Sequence, residues 1–333
     1  MDSVSQFVLG SSVATVALGK HVSPRRAALW GGVLGTLPDL DVLIDHGDAI
    51  ADMIRHRAES HALLWMTLAA PLAAWGIAAL HRERRIYWRW LLAVWLAWIT
   101  HAVLDALTVY GTRLWLPFDA TPVSIGSLFV VDPVYTLPLL IGTLWLLFAR
   151  SHHRARRWNR IALAVSTAYA MWSLIAQSLA TDAAKDSLRV QGIEANTLIV
   201  SPAPLQTVLW RALAVADEYA WEGYRSLLDN DQPMQWRRIE RQPELLQDAA
   251  THAQVLALRE FANDAVKAHQ DGSTVLVSDL RMGDEPNYVF TFEVGTKHGA
   301  EPMAPRQKAT KRPFSQNMNR GPAWLWRRIR GLR

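Results

Sequence analysis

Three short stretches of this chain carry side chains that could bind a divalent metal ion. They are 38–41 (Pro-Asp-Leu-Asp), 55–61 (Arg-His-Arg-Ala-Glu-Ser-His) and 101–105 (His-Ala-Val-Leu-Asp). The candidate metal ligands in them are Asp39, Asp41, His56, His61, His101 and Asp105. Imidazole nitrogens and carboxylate oxygens are ligands of borderline and hard divalent ions. Each stretch lies beside a long apolar segment, where ionisable side chains are costly and by default indicate a functional site.

The spacing of His101 and Asp105 places both side chains on one face of a helix, together with Thr108. One helix would then offer an imidazole and a carboxylate to the same ion. Alternatively, Asp105 would not bind the ion and would orient His101 through a hydrogen bond. The alternative is a buried, hydrogen-bonded pair that only joins helices.

The two carboxylates of the first stretch follow Pro38, which disfavours helix at Leu37. Asp39 and Asp41 should therefore project from a bend or from a new helix start. Neighbouring carboxylates repel each other, and one would be protonated unless a cation lies between them. Asp41 is also our candidate to bridge metal ions or to take a proton from water. A solvated acidic loop is the alternative.

The second stretch ends in Ser60-His61. Ser60 could cap the next helix, leaving His61 in its first turn, where the helix dipole favours a neutral, metal-binding imidazole. Arg57 beside a metal is a candidate catalytic residue that would hold an anionic oxygen, such as that of a phosphoryl group. Lipid headgroup binding is the alternative for Arg57.

Taken together, these motifs resemble the YdjM-like family of predicted membrane-bound, metal-dependent hydrolases (domain of unknown function 457), over about residues 1–150. The family pattern is an early His, then P-D-[LI]-D, H-R-G-x-[TS]-H-S and H-x-x-x-D, followed by a Thr and a Gly-containing turn. Here Gln6 stands in place of the early His, Ala58 in place of Gly and Ala62 in place of Ser.

The resemblance implies a metal-dependent hydrolase with zinc, or alternatively manganese, as its cofactor. The family is itself similar to the zinc-dependent phospholipase C and single-strand nuclease group, which are all-helical phosphodiesterases. The resemblance therefore implies a phosphoester substrate. We expect this substrate to be a lipid or a lipid-linked molecule. Gln6 is a poor metal ligand, so one ligand position would be lost or completed by water.

Six apolar segments should position these residues, each near the roughly 20 residues that a helix needs to cross a bilayer. They are about 4–20, 27–44, 61–80, 90–111, 129–149 and 158–180. No basic residue precedes the first one, so we expect a retained helix and not a cleaved signal peptide. The predicted fold is an all-α polytopic membrane bundle over 1–180, followed by a small α+β extramembrane domain over 181–301.

The basic residues predict how the bundle is oriented in a bacterial inner membrane. Loops 20–26, 81–89 and 150–160 are rich in Arg and Lys, which favours a cytoplasmic location for all three. The candidate ligands then lie at a similar depth at the periplasmic end of the bundle. The domain after residue 180 is predicted on the same side.

The second half of the chain has the composition of a soluble α+β domain. Strand patterns cover Thr197–Val200, Tyr219–Leu228, Met234–Arg241, Ser273–Leu280 and Tyr288–Val294, and a long amphipathic helix is predicted over Glu244–His269. Residues 302–333 form a basic tail in which we expect disorder, ending in a short interfacial anchor at Trp324–Arg328.

Composition excludes some classes of function. The chain has no cysteine, so disulfide bonds and thiolate metal sites are excluded. Nine basic residues and no acidic ones lie between Pro302 and Arg333, whereas the net charge of the whole chain is only +5. Because the basic character belongs to the tail, we expect membrane lipid, and not nucleic acid, as a partner.

Two other classes of function fit parts of the sequence. A transporter would use the intramembrane Asp and His residues as a relay, but its sites usually lie near the bilayer midplane between repeated halves. Here the groups lie toward one face and no repeat is visible. In the other alternative, residues 181–333 form a binding module and the bundle is its anchor.

Overall fold

The computed structural model describes residues 1–230, 232–250, 252–299, 301–314 and 320–332, which fold into two compact units. The N-terminal unit comprises Met1–Leu43, Arg57–Leu174 and Pro204–Gln206. The C-terminal unit comprises Ile44–His56, Ile175–Ala203 and Thr207–Arg333.

The elements of regular secondary structure in the N-terminal unit are helices. Its helices are α1 (Ser3–Leu18), α2 (Pro24–Thr36), α4 (Leu63–Leu80), α5 (Tyr87–Ala106), α6 (Pro133–Phe148) and the part of α7 (His152–Val190) up to residue 174. Short 3-10 helices at Pro38–Leu43, Glu59–His61 and Arg84–Ile86 join them. These six helices follow the order of the six predicted apolar segments, but α2 ends at Thr36, and a 3-10 helix takes the end of the predicted segment 27–44.

Helices α4 and α7 differ from the other described helices in their capacity to cross a membrane. By length and composition, only these two among the described residues are long and apolar enough to do so, whereas α1 and α6 are apolar but shorter. One face of α4 is exposed at Leu68, Leu72 and Trp75. This is the pattern of a helix with an apolar surface turned away from its own core.

Close backbone contact joins α1 to α2. A Cβ atom added to Gly10 would lie 2.2 Å from the carbonyl oxygen of Gly31, and one added to Gly35 would lie 2.5 Å from the carbonyl oxygen of Gln6. Glycine is therefore required for the helices to approach this closely, as in the small-residue contacts of membrane helices. The contact brings the end of α2 next to the part of α1 that carries Gln6.

Two antiparallel sheets form the framework of the C-terminal unit. The first has the order β1-β2-β3-β4, with β1 Thr197–Pro202, β2 Leu209–Val215, β3 Tyr219–Ser226 and β4 Trp236–Glu240. The second has the order β10-β9-β6-β5, with β5 Val266–Asp271, β6 Thr274–Asp279, β9 Thr291–Thr296 and β10 Ala304–Lys311. Two short strands, β7 (Gly283–Asp284) and β8 (Asn287–Tyr288), pair with each other. Helices α8 (Pro243–Ala249), α9 (Ala253–Phe261) and α10 (Pro322–Ile329) complete the unit.

The segment between the first two ligand stretches belongs to the C-terminal unit. It forms α3 (Ala49–Arg55), which packs against α9 and β10. The Asp48 carboxylate caps α3 through one oxygen and accepts a hydrogen bond from the Ala309 backbone N–H at 2.8 Å through the other. One buried side chain therefore fixes both the start of α3 and its contact with β10.

Two predictions for this half of the chain are wrong, and one strand in it was not predicted. The predicted helix Glu244–His269 is two short helices followed by β5, because Asn263 and Asp264 adopt left-handed backbone angles that end α9. Strand β2 was not predicted, since all of its residues are buried and it shows no alternation of polar and apolar side chains.

The predicted disorder of 302–333 is the second wrong prediction. Residues 304–311 form the edge strand β10, whose side chains are mostly exposed and therefore resemble a disordered tail in composition. Residues 322–329 form α10. Residues 315–319 of the predicted tail lie outside the described residues.

The glycine contact predicts a position-specific effect of added volume. Gly31→Val places a side chain against the backbone of α1, so we expect a loss of about 1–3 kcal/mol of stability, seen as a lower unfolding temperature in detergent. Gly76→Val in α4 is the matched control, because an added Cβ there meets nothing within 4 Å. Equal destabilisation by both variants would contradict the proposed role of the α1–α2 contact.

Candidate metal centre

Four side chains from separate parts of the N-terminal unit converge at one place. They are Asp39, His61, His101 and Asp105, and one ligand atom from each lies within 4.8 Å of the others. Asp39 lies on the 3-10 helix that follows α2, His61 ends the 3-10 helix before α4, and the other two lie one turn apart on α5. Both histidines and Asp105 are fully buried, and Asp39 is partly buried. This group could hold a metal ion.

Five of the six distances between the converging atoms are near those around a tetrahedral ion, and all four atoms lie within 4.8 Å of one another. The Nε2 atoms of His61 and His101 are 2.9 Å apart. They lie 3.2 and 3.4 Å from Asp105 Oδ2, and 3.5 and 3.6 Å from Asp39 Oδ1. Ligands held at 2.0–2.1 Å around tetrahedral zinc are about 3.4 Å apart. The side chains are therefore close to the arrangement that such an ion requires.

The hydrogen-bond partners of the two imidazoles indicate where their protons lie. His101 Nδ1 is 2.6 Å from the Gly35 carbonyl oxygen, which can only accept, so Nδ1 carries the proton. His61 Nδ1 is 2.8 Å from Ser60 Oγ, whose own hydroxyl donates to Asp41 Oδ2. Ser60 Oγ therefore accepts from His61. In both rings the neutral form then directs the lone pair of Nε2 toward the centre.

The carboxylate oxygens at the centre are acceptors as well. Within the described part of the chain, Asp39 Oδ1 and Asp105 Oδ2 are buried and have no hydrogen-bond partner. Buried acceptors without a partner are costly, and the cost is greatest when the group is charged. Two imidazole nitrogens and two carboxylate oxygens in one buried space favour positive charge between them, which either a divalent cation or a proton on one Nε2 atom supplies.

Arg57 lies directly beside this group. Its guanidinium is 3.3 Å from Asp105 Oδ1 and 3.3 Å from Thr108 Oγ1, and it packs over the Tyr110 ring at 4.8 Å. Its backbone has a left-handed φ of 68°, and its N–H donates to Asp41 Oδ2 at 3.0 Å. The strained backbone and the buried side chain hold the cation next to the four candidate ligands.

Asp105 is held by donors on the oxygen that faces away from the histidines. Gln6 Nε2 donates to Asp105 Oδ1 at 3.1 Å and to the His101 carbonyl at 3.3 Å. The Met1 amino group contacts the same carboxylate oxygen. Together with Arg57, these donors favour the charged form of Asp105 and leave Oδ2 directed at the centre.

The structure brings together four of the six predicted ligands. Asp41 is not one of the four: it lies 3.6 Å from His61 Nδ1 and reaches the centre through Ser60. His56 belongs to the C-terminal unit, where it ends α3 as its C-cap residue, and it is not part of the group.

Two contacts of the centre were not predicted, namely the Gly35 carbonyl and the Met1 amino group. The only sequence signal for Gly35 is the spacing of glycines along α2, which is typical of close helix contacts. No pattern in the sequence indicates the contact of Met1.

Comparison with known proteins tests the family prediction. No curated protein and no solved structure matches the chain. Residues 1–180 match the family model described as YdjM inner membrane protein, and this region includes all four converging side chains. The match confirms the family that the motifs predict and indicates an inner membrane protein. The chain belongs to the YdjM inner membrane protein family.

Proposed function

We propose that this protein is a membrane-bound, metal-dependent hydrolase of lipid or lipid-linked phosphoesters. The observation that carries the proposal is the convergence of two imidazole lone pairs and two carboxylate oxygens in one buried space. Two nitrogen and two oxygen ligands suit zinc, and manganese is the alternative. The proposed ligands are Asp39, His61, His101 and Asp105.

Arg57 is the proposed residue for holding the substrate's anionic group. A divalent ion in the centre supplies Lewis acidity and activates water for attack. The Arg57 guanidinium lies beside the ligands, and its buried Nε has no hydrogen-bond partner in the described part of the chain. It therefore has a donor left for a phosphoryl oxygen on which negative charge develops.

Asp41 and Ser60 are proposed to orient His61. The Asp41 carboxylate accepts from the Ser60 hydroxyl and from the Arg57 backbone N–H, so it fixes two neighbours of the centre at once. Groups behind a metal-binding histidine set its tautomer and its direction. That Asp41 also takes a proton from water stays a prediction.

Exposed apolar side chains beside the centre support a lipid substrate. Leu40, Val42 and Leu43 are 54%, 66% and 78% exposed, and they lie on the 3-10 helix that carries Asp39. Such a surface suits the boundary between headgroups and acyl chains. We further propose that the six long helices cross the membrane with their basic loops in the cytoplasm, so that the centre faces the periplasm.

The first test is the metal content of the protein purified in mild detergent. We expect about one equivalent of zinc or manganese per chain by mass spectrometry, and at least a tenfold loss in His101→Ala and in Asp105→Asn. His153→Ala, at an exposed position on α7, is the matched control and should keep its metal. Wild-type protein that stays metal-free after supplementation with both ions would refute the centre.

The second test separates hydrolysis from metal binding. We expect the metal-loaded protein to hydrolyse bis(p-nitrophenyl) phosphate, and Arg57→Lys to lower kcat by about 10²-fold while keeping its metal, because Lys cannot reproduce the guanidinium geometry. Arg55→Lys, at an exposed position, should have no effect. If the metal-loaded protein has no activity on phosphodiesters, the proposed hydrolysis is refuted, whereas the metal centre is not.

The third test addresses the positioning of His61. Ser60→Ala removes the hydroxyl between Asp41 and His61, so we expect metal affinity to fall about 10–100-fold. Ser60→Thr keeps the hydroxyl and should keep the affinity. The measurement is competition with a zinc chelator, and equal affinities for the two variants would count against the arrangement.

A further inference from the structure

A second candidate site lies in the C-terminal unit, on one face of the sheet β1–β4. It is a cavity of about 320 Å³. The lining residues that matter here are Glu222, Tyr224, Trp236, Arg237, Arg320 and Trp324. None of them belongs to the metal centre, and none was among the predicted site residues.

The floor of the cavity is a buried carboxylate with incomplete hydrogen bonding. Glu222 is 1% exposed, and its Oε1 accepts from Arg211 Nε at 2.7 Å. Among the described residues its Oε2 has no hydrogen-bond partner, and Arg320 Nη1 lies 3.4 Å away without a hydrogen-bonding geometry. Arg211 Nη2 and Arg320 Nη1 also have no acceptor in the described chain. The buried ion pair between Glu222 and Arg320 therefore lacks hydrogen bonds on both of these atoms, and a ligand that supplies them is favoured.

The walls of the cavity are aromatic and fixed. Tyr224 and Trp324 pack edge to face, with ring centroids 5.0 Å apart, and the Arg320 guanidinium lies over both rings at 4.5 and 4.8 Å. Trp236 donates from its indole nitrogen to Ser187 Oγ at 3.0 Å. Flat aromatic surfaces with a few directional polar groups are typical of sites for ring-shaped ligands.

The wall contributed by α10 is held in place by a buried ion pair. Arg328 donates to the Asp229 carboxylate at 2.8 and 2.9 Å, and Ser226 Oγ donates to the Ile329 carbonyl at 2.7 Å. Burial would raise the pKa of Asp229, but the hydrogen bonds from Arg328 and from the Ser226 N–H hold it below its usual value. Trp324 is thus fixed before any ligand arrives, which lowers the entropic cost of binding.

The charges around the cavity leave an excess of positive charge. Arg211 is paired with Glu222, and Arg320 Nε lies 4.0 Å from Asp284. Arg237 is exposed, and its hydrogen bond goes to the neutral Glu285 carbonyl at 3.2 Å. A ligand with an anionic substituent is therefore favoured over a neutral one.

We propose that this cavity binds a sugar ring that carries a carboxylate or a phosphate. Hydroxyl groups both donate and accept, so one ring can supply the missing hydrogen bonds of Glu222 Oε2 and Arg320 Nη1 together. The apolar C–H face of the ring packs on the side of Tyr224 or Trp324 that Arg320 leaves uncovered, and the acidic group pairs with Arg237. A purely apolar ligand would leave the floor unsatisfied. A cationic ligand would compete with Arg320 for its place over the rings.

The test uses the full chain in a detergent without a sugar headgroup, such as lauryldimethylamine oxide, and calorimetric titration. The probes are glucuronate, glucose 1-phosphate and methyl glucoside. We expect saturable binding of at least one acidic probe, at least tenfold tighter than that of methyl glucoside. Preference between the two acidic probes distinguishes a carboxylate ligand from a phosphate ligand.

Variants connect the binding to the cavity. Trp324→Ala should weaken acidic-sugar binding at least tenfold, whereas Trp326→Ala, which changes a 57% exposed Trp on the same helix, should not. Arg237→Ala should weaken the acidic probes and leave methyl glucoside unchanged. Glu222→Gln would also change the ion pair with Arg211. The test therefore relies on Trp324→Ala and Arg237→Ala.

Two results would overturn the proposal. One is no saturable binding of either acidic probe up to roughly 10 mM. The other is binding that Trp324→Ala and Arg237→Ala leave unchanged. The metal centre is not required for this binding, so the outcome is independent of the proposed hydrolase function.

Discussion

The Nε2 atoms of His61 and His101 face each other in a buried space that two carboxylate oxygens also enter. Without positive charge between them, these acceptors repel one another, and the repulsion is strong because little water is present to screen it. The contacts to the two imidazoles maintain this repulsion, whereas Arg57 and Gln6 stabilise the Asp105 carboxylate only from its far side. The Gly35 carbonyl and the Ser60 hydroxyl each hold the Nδ1 proton of one imidazole and so keep its lone pair directed inward.

Backbone packing determines that these side chains meet. Gly10 and Gly31 let α1 and α2 touch, and this contact brings Gly35 within reach of His101 on α5. The donors on the far side of Asp105 then fix the carboxylate from the opposite direction. The candidate centre therefore depends on small residues and on main-chain carbonyls as much as on its ligands.

The sequence predicted the site best where residues of metal-binding type also lie at the spacing of one helix face. The four-residue interval between His101 and Asp105 predicted a shared helix face, and both side chains reach the centre. It was least informative where the backbone supplies the contact, as with Gly35, or where a predicted ligand folds with the other unit, as with His56. Strand β2 shows the same limit, since burial on both faces removes the alternation by which strands are recognised.

Residues 44–56 fold with the C-terminal unit, although Asp39 and His61 on either side of them belong to the N-terminal unit. The segment that links Asp39 to His61 is therefore folded and is not a flexible loop. If α3 lost its packing on α9 and β10, this link would become flexible. The effective concentration of Asp39 near His61 would then fall. A chain cut at residue 180 would retain every ligand and lose this restraint. The second half of the protein thus packs on the chain that joins two candidate ligands, even though it supplies none of them.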